Sequence, residues 1–506
     1  ATLPHPACAE MEFTEILGEC ALRIPDSHRM PPFLMQLVSD SDVWAFIGSH
    51  GAITAGRRNC DHALFPYYTQ DKLFDLAQFS GSYSAIHTAD EAGDTVTWHF
   101  GVPAESLSRT RRRSVSKSKT GTKILLEETH PRLGLAASVL WTSSRRFGLA
   151  KRFRVTNETQ DTVAFTLTDG FQNILPGGVD QQFQNEFSNL LDAYKRAEYL
   201  GSRLAVYTLS SVPTDKAIPN EALTASAVWS CGFQGASGCM TAPTAGQVGA
   251  ISDASHAGER TRAQRGAYLL EGEVSLAPGE SHEHWIVGDP DLDAKSVSGL
   301  LEWLTAESDV EGALKASVEG TPDCIRQWVA DLDGIQRTGC ERSDWRHFSN
   351  VLFNMMRGGV FLTGCMLPKR QLLDHIRLCN RRVWEDHREF LEELPEPLDL
   401  WTCAERVKAV RDRDLARLVS EFLPIGFARR HGDPSRPWNR FDIQIHQPNG
   451  DYNFAYQGNW RDIFQNWESS LRSFPCYTAS VISRFLNATT PLGYNPYRVM
   501  TRGFEW

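Results

Sequence analysis

The residues best suited to chemistry lie in one segment near the end of the chain, DYNFAYQGNWRDIFQNWESSLRSF (451–474). A loop ends at Asn459, and the apolar residues that follow recur at helical spacing, so Asp462 is predicted to lie in the first turn of a helix. Trp460 and Arg461 precede it directly. An indole can stack on a sugar ring or exclude water from a carboxyl group, which raises the pKa of that group. The segment therefore predicts a general acid at a loop–helix junction.

A structural role explains the same residues without any chemistry. Asn459 is of a type that commonly caps helix N-termini. An acid in the first helical turn, such as Asp462, is also favoured by the helix dipole. The residue types alone leave both interpretations open.

The elements that must position this segment change character near residue 290. Over about 11–289, short alternating or β-branched runs are separated by turn residues, which favours antiparallel sheets packed as a sandwich. Later apolar residues recur at steps of three and four, most clearly over 342–359, which indicates helices. Strands followed by helices indicate separate domains. We predict a β-domain over 1–290, a helical linker over 291–340 and a helical region over 341–506.

The helical patterns are separated by irregular stretches. They cover 294–308, 321–336, 342–359, 370–394, 403–423, 461–474 and 476–490. The basic segment 109–123 contains no acid, and its run of charges is typical of a solvated loop between strands.

Composition excludes several classes of protein. The 506 residues carry a formal net charge of −10, which disfavours a nucleic-acid binder. No apolar run is long enough to span a membrane. The 11 cysteines form no CxxC pair, which is typical of reduced thiols in a cytoplasmic protein rather than of a disulfide framework or zinc ribbon. His375 and Cys379 have a spacing that could hold a metal, but they lack further ligands and are predicted to pack in the core, so we predict no metal site.

GNWRD (458–462) resembles the GDWND-type motif of the inverting glycoside phosphorylases, the group of six-hairpin glycosidases that includes cellobiose and chitobiose phosphorylases. SHGAITAGRRNCDHALFPYYTQDKL (49–73) resembles the early segment of that family, which shapes the sugar pocket. The resemblance implies a galactose-mutarotase-like β-supersandwich, a helical linker and the first part of an (α/α)6 barrel. The whole chain is similar to the first half of a larger bacterial protein.

The resemblance also implies roles for individual residues. Asp462, the closing Asp of the motif, corresponds to the general acid that protonates the glycosidic oxygen. The implied substrate contacts are Asn459, Trp460 and Arg461, together with Arg57, His62 and Tyr67 from the sandwich. Asn459 replaces the first Asp of the motif and Arg461 replaces its Asn. These departures favour hydrolysis slightly over phosphorolysis.

The second reacting group depends on that choice. Inverting hydrolysis needs a second carboxylate about 6.5–9.5 Å from the acid, and the loop residue Asp442 is the candidate base. Phosphorolysis needs no base, because phosphate is itself the nucleophile, but it needs donors for the phosphate. Arg440, His446 and Arg498 are the candidates. No cofactor is expected beyond inorganic phosphate in the second case.

We therefore expect a carbohydrate-active enzyme that cleaves glucan-like glycosidic bonds with inversion, by hydrolysis or by phosphorolysis. Too few helical patterns follow residue 340 to close an (α/α)6 barrel. The sequence therefore also predicts an exposed apolar groove on the helical half, and a homo-oligomer or a second chain that completes the barrel. The alternative from another class is a non-catalytic carbohydrate-binding or assembly subunit.

Overall fold

The computed structural model describes residues 11–89, 95–101, 112–201, 203–214, 217, 220–241, 260–428, 441–447 and 449–506. The chain divides into two compact units, which meet in sequence between Pro322 and Asp323. Of the described residues, those within 11–39 and 43–322 belong to the first unit, and those within 40–42, 323–428 and 441–506 to the second. No helix of the described part of the chain is long and apolar enough to cross a membrane.

The first unit is built mainly of antiparallel strands. They are β1 (Glu12–Ile16), β2 (Glu19–Ile24), β3 (Leu34–Leu37), β4 (Val43–Gly48), β5 (Ile53–Arg57), β6 (Ala63–Phe65), β7 (Gly81–Ala89), β8 (Thr95–His99), β9 (Arg112–Ser118), β10 (Ile124–His130), β11 (Leu135–Ser144), β12 (Gly148–Asn157), β13 (Val163–Ile174), β14 (Lys195–Leu200), β15 (Leu204–Leu209), β16 (Thr224–Cys231), β17 (Ser237–Thr241), β18 (Arg260–Arg262), β19 (Gly266–Leu276) and β20 (Ser281–Asp293). The 11-stranded sheet has the order β1-β2-β9-β10-β11-β12-β20-β16-β15-β14-β18, the 5-stranded sheet β17-β19-β13-β7-β8 and the 4-stranded sheet β3-β4-β5-β6.

Strand residues alternate between a buried and a partly exposed face. In β10, Ile124, Leu126, Glu128 and His130 are buried and the residues between them are partly exposed. The apolar members of this face join a core cluster with residues of β13 and β19, which belong to the 5-stranded sheet. An antiparallel, β-rich region followed by helices is therefore confirmed.

One polar network crosses this core. The Lys151 ammonium on β12 lies 2.7 Å from the Asp169 carboxylate on β13, and His284 on β20 lies 2.9 Å from the other oxygen of that carboxylate. All three side chains are fully buried. Burial alone raises the pKa of a carboxyl group, but the Lys151 charge and the hydrogen bonds from His284 and Lys151 outweigh this effect, and the pKa of Asp169 is lowered.

The prediction of a solvated loop over 109–123 is wrong where the structure describes this segment. Residues 112–118 form β9, which pairs with both β2 and β10. Its charges are accommodated because Arg113 donates to the buried Glu128 carboxylate at 2.7 Å, and because small residues such as Ser116 and Ser118 are buried beside it. The segment itself contains no acid, and the acid that neutralises Arg113 lies on the neighbouring strand β10, so the local run of basic residues wrongly indicated a solvated loop.

Short helices and the linker complete the first unit. The helices are α1 (Gln70–Asp75), α2 (Gln181–Glu186), α3 (Ser188–Tyr194), α4 (Ala294–Ala306) and α5 (Val310–Asp331), of which α5 continues into the second unit. Trp303 of α4 and Leu314 of α5 pack in one cluster with Phe147 and Trp229 of the large sheet. The β-to-helix change therefore occurs at Asp293, where the sequence predicts it.

The second unit is helical with short strand pairs. Its elements are α6 (Glu341–Gly358), β21 (Val360–Phe361), β22 (Met366–Leu367), α7 (Lys369–Cys379), α8 (Arg381–Glu392), β23 (Leu398–Asp399), α9 (Leu400–Val410), α10 (Arg413–Glu421), β24 (Ile425–Gly426), β25 (Gln457–Asn459), α11 (Trp460–Ser473), α12 (Thr478–Ala488), β26 (Arg498–Met500) and β27 (Gly503–Glu505). Two predicted helical stretches are each divided in two. Asn380 caps α8 and Asp412 caps α10 with their side chains, and caps of these types are readable in sequence.

Within this unit, the segment that carries α7–α10 begins and ends at one place. Val360 and Phe361 of β21 pair with Gly426 and Ile425 of β24, so the helices α7–α10 lie on an excursion whose two ends meet. On either side of it, α6 packs against α11, and the Trp467 indole on α11 donates to the Gly358 carbonyl at 2.7 Å. Trp467 is thereby buried in the core, and it fixes the position of α11.

Large apolar side chains are also exposed in this unit. Phe464 on α11, and Ile482 and Leu486 one turn apart on α12, are 46%, 52% and 67% exposed. The predicted apolar groove on the helical half stays a prediction. Whether these helices begin an (α/α)6 barrel stays a prediction.

Candidate active site at the β25–α11 junction

The motif 458–462 lies where β25 passes directly into α11. A Cβ at Gly458 would lie 2.7 Å from the Ile463 side chain, so only glycine lets the first turn of the helix fold back onto the strand. The Trp460 amide donates to the Tyr497 carbonyl at 3.0 Å. These contacts place Asp462 in the first turn of α11, as the periodicity predicts.

Asp462 lies on the surface of this junction. Its side chain is 49% exposed, and the Arg461 Nε, on a side chain 84% exposed, lies 3.3 Å from its Oδ1. The Trp460 ring packs edge-to-face on Phe485 of α12, with centroids 4.6 Å apart. The indole therefore contributes to the α11–α12 contact, and the carboxylate is open to water.

Asn459 does not cap the helix with its side chain, although it holds the N-cap position. Its Oδ1 is buried and has no hydrogen-bond partner in the described part of the chain. The predicted N-cap position of Asn459 is confirmed, but its side chain makes no capping hydrogen bond. A buried amide oxygen without a partner costs free energy unless a ligand supplies a donor.

Asn459, Arg498 and Glu505 form a polar row across the three short strands β25, β26 and β27. Asn459 lies opposite Arg498 on β26, and Arg498 lies opposite Glu505 on β27. Residues opposite one another in antiparallel strands share a face. Arg498 Nη1 lies 2.9 Å from the Glu505 carboxylate, whereas its buried Nε has no partner among the described residues.

The structure therefore brings together Asn459 and Arg498, which the sequence predicts as separate substrate and phosphate contacts. It adds Glu505, which no sequence pattern predicts as a site residue. The signal was present in RVMTRGFE (498–505), where two short runs flank a turn containing Gly503 at φ 145°.

The loop before β25 has its own internal contacts. Gln444 donates to the Asp442 carboxylate. His446 lies 3.2 Å from the Asp40 carbonyl and stacks on Tyr452, with ring centroids 5.3 Å apart. Arg440 lies outside the described residues. Catalytic or phosphate-binding roles for Asp442 and His446 stay predictions.

The residues proposed on the sandwich side are engaged within the first unit. The Arg57 guanidinium forms a two-bond ion pair with Asp289. His62 lies 3.3 Å from the Asp291 carboxylate. Tyr67 is buried, with its ring edge-to-face on Trp44. Each contact serves the packing of the sheets, and sugar-binding roles for these residues stay predictions.

Two cavities of about 640 and 580 Å³ lie in the first unit. Strands β9–β12 line the larger, and β16 with the start of α5 lines the smaller. Asp462 lines neither.

Residues 366–424 match the model of glycoside hydrolase family 149 insertion domain 1. The matched segment is the excursion that carries α7–α10. The sequence predicts 341–506 as one stretch of barrel, whereas the family model describes this part as an insertion. The structure agrees with the family model in that both ends of the segment meet at the β21–β24 pair.

Several solved structures are similar to parts of the chain. A bacterial glucoamylase complexed with acarbose is 11% identical, with a TM-score of 0.35, over 65% of this chain and 42% of that chain. A protein described as a kojibiose phosphorylase, from the human microbiome, is 9% identical, with a TM-score of 0.35, over 64% and 39%. A protein described as an aldose 1-epimerase, from Escherichia coli K12, is 10% identical, with a TM-score of 0.26, over 52% and 99%.

This chain spans about two fifths of the length of the glucoamylase and the phosphorylase. No curated protein matches it. The family match agrees with a resemblance to the glycoside hydrolase and phosphorylase group, but it covers 366–424 and does not include GNWRD (458–462).

Proposed function

We propose that this chain carries the general acid of an enzyme that cleaves glucan-like glycosidic bonds with inversion, and that Asp462 is that acid. The observation that carries the proposal is the junction itself. Asp462 stands in the first turn of α11, three residues after Asn459. Asn459 Oδ1 and Arg498 Nε are buried and have no partners among the described residues. Unused donors and acceptors at a junction that also carries an accessible carboxylate suit a polyhydroxylated ligand, because each sugar hydroxyl can both donate and accept.

The contact with Arg461 sets a condition on this role. A guanidinium near a carboxylate favours its ionised form, whereas a general acid must be protonated. Both side chains are exposed, so the pair is held weakly and a substrate can displace Arg461. A sugar that covers Asp462 would also exclude water from its carboxyl group.

Hydrolysis and phosphorolysis make different demands on the polar row. Hydrolysis needs a base, for which Asp442 is the candidate from the sequence and Glu505 is a carboxylate that the structure adds. The departures at Asn459 and Arg461 favour this reaction. Phosphorolysis is favoured by one specific observation, the unpartnered Nε of Arg498, because a guanidinium binds phosphate oxygens with its parallel N–H groups.

The products distinguish the two reactions. The purified full-length protein is incubated with α- and β-linked gluco-oligosaccharides, with and without inorganic phosphate, and the sugars and sugar 1-phosphates are measured by NMR. A free sugar of inverted anomeric configuration, formed without phosphate, indicates hydrolysis. A sugar 1-phosphate formed only with phosphate indicates phosphorolysis. Retained configuration would contradict the proposed inverting mechanism.

Arg498 gives a second readout. In a phosphorylase, Arg498→Lys is expected to raise the KM for phosphate at least tenfold with a smaller change in kcat, because lysine cannot bind phosphate bidentately. In a hydrolase, the same change should not create any dependence on phosphate. Oligosaccharide binding without turnover of any substrate would instead support the non-catalytic alternative.

A further inference from the structure

Two thiols from distant parts of the sequence meet in the second unit. The Sγ atoms of Cys365 and Cys476 lie 2.9 Å apart, although the residues are separated by 111 positions. This distance is shorter than the usual contact of two non-bonded sulfur atoms. Both residues are partly exposed, so a small molecule in solution can reach them.

Contacts that do not involve sulfur hold the two segments together. The Tyr477 hydroxyl, next to Cys476, donates to the Gly364 carbonyl at 3.0 Å. The Tyr477 ring stacks on Phe361 with centroids 4.2 Å apart and planes at 2°. Because these neighbours fix both backbones, the thiols stay paired in the reduced protein.

We propose that Cys365 and Cys476 are an oxidation site, at which a small-molecule disulfide converts the thiol pair into an intramolecular disulfide. The bond would join the segment that opens the α7–α10 excursion to the segment that follows α11. It would therefore fasten the base of the insertion to the helix that carries Asp462.

The chemistry is two successive thiol–disulfide exchanges. The Cys365 thiolate attacks one sulfur of the oxidant, its sulfur–sulfur bond breaks, and one small thiolate leaves. Cys476 then loses its proton to solvent and attacks Cys365 Sγ, which releases the second small thiolate. Both thiolates take up the protons that the cysteines lost, so one oxidant molecule is reduced to two thiols for each disulfide formed.

The surroundings assign the order of these steps. Burial, together with a hydrogen bond that the Cys476 thiol can donate to Cys365 Sγ, raises the pKa of Cys476 to about 12. The thiolate is the nucleophile, so Cys476 is poorly suited to attack an oxidant in solution. It is well placed to resolve a mixed disulfide on the neighbouring sulfur. Oxidation should accelerate as the pH rises.

The test is peptide mapping of the full-length protein. Reduced protein is incubated with oxidised glutathione, alkylated and digested with trypsin without reductant. The tryptic peptides 358–369 and 473–484 each contain one cysteine, Cys365 and Cys476. The expected product is a peptide that joins these two and that dithiothreitol separates. A thermal midpoint above that of the reduced protein should accompany it, because the cross-link restricts the unfolded chain.

Two variants make the assignment specific. Cys476→Ser should lose the linked peptide and the rise in thermal midpoint, and should accumulate glutathione on Cys365. Cys340→Ser is the matched control. Cys340 is exposed, and a hydrogen bond from Ser343 lowers its pKa, so it is a reactive thiol without a thiol neighbour in the described structure.

The control variant should form the 365–476 link as the wild type does. Absence of the linked peptide in the wild type, or a link that joins other cysteines, would overturn the proposal. So would an equal rise in thermal midpoint for Cys476→Ser. None of these readouts depends on glycosidic activity.

Discussion

Replacing Asp462 by asparagine separates catalysis from stability at the β25–α11 junction. The change removes the transferable proton while nearly keeping the size and polarity of the side chain. The lost contacts are an exposed ion pair with Arg461 and a favourable position in the first turn of α11. An exposed pair contributes about 0–1 kcal/mol, and a first-turn acid about 0.3–1 kcal/mol, part of which asparagine retains.

The expected change in the free energy of unfolding is therefore below about 1 kcal/mol. The expected loss of activity is much larger, because removing a general acid lowers kcat by about 10²–10⁴. At 1.36 kcal/mol per factor of ten, this corresponds to about 2.7–5.4 kcal/mol of transition-state stabilisation. The two effects are far enough apart to measure separately.

Asp414 provides a matched control. It also lies in the first turn of a helix, α10, and its side chain is 47% exposed and 3.0 Å from the Arg382 guanidinium. Asp414→Asn should change stability by a similar small amount and leave turnover unchanged. The assays are urea unfolding and initial rates on an unactivated oligosaccharide, both with the full-length protein.

Two results of comparing Asp462→Asn with Asp414→Asn would contradict the role of Asp462 as general acid. Equal activity in Asp462→Asn and wild type would refute the assignment and leave Asp462 as a helix-terminal acid. Equal losses of activity in both variants would show that turnover responds to helix ends in general rather than to a proton on Asp462.

Three further predictions concern stability, each measured by urea unfolding. Burial lowers the pKa of His375 to about 4, so the unfolded state takes up a proton before the folded state does as the pH falls below 6.5. Between pH 7 and pH 5, the free energy of unfolding should therefore fall by about 2 kcal/mol more in wild type than in His375→Gln. Equal decreases would contradict this. Asp169→Asn should cost about 3–5 kcal/mol by leaving Lys151 buried and unpaired, and a cost below 1 kcal/mol would count against a charged pair. Gly458→Ala should cost about 1–3 kcal/mol because its methyl group overlaps Ile463, and an unchanged midpoint would contradict that overlap.

Local patterns in the sequence were enough to predict several elements. Helical periodicity after Asn459 predicted α11 and the position of Asp462 in its first turn. The change from alternation to helical spacing predicted the end of the strands at Asp293. These features depend on neighbours within one or two turns of the chain, which the sequence states directly. The breaks at Asn380 and Asp412 had the same kind of signal, in residue types that cap helices.

Other features depend on which segments meet, and only the tertiary structure decided them. Residues 112–118 form a strand because the acid that neutralises Arg113 lies on the adjacent strand β10. Arg498 and Glu505 join Asn459 because a hairpin returns beside β25 after α12. The partner of a charged group or a thiol cannot be predicted from the local sequence when the two residues lie tens of positions apart and meet only in the folded chain. The sequence therefore predicted that Asp462 could donate a proton, and the tertiary fold decided which groups surround it.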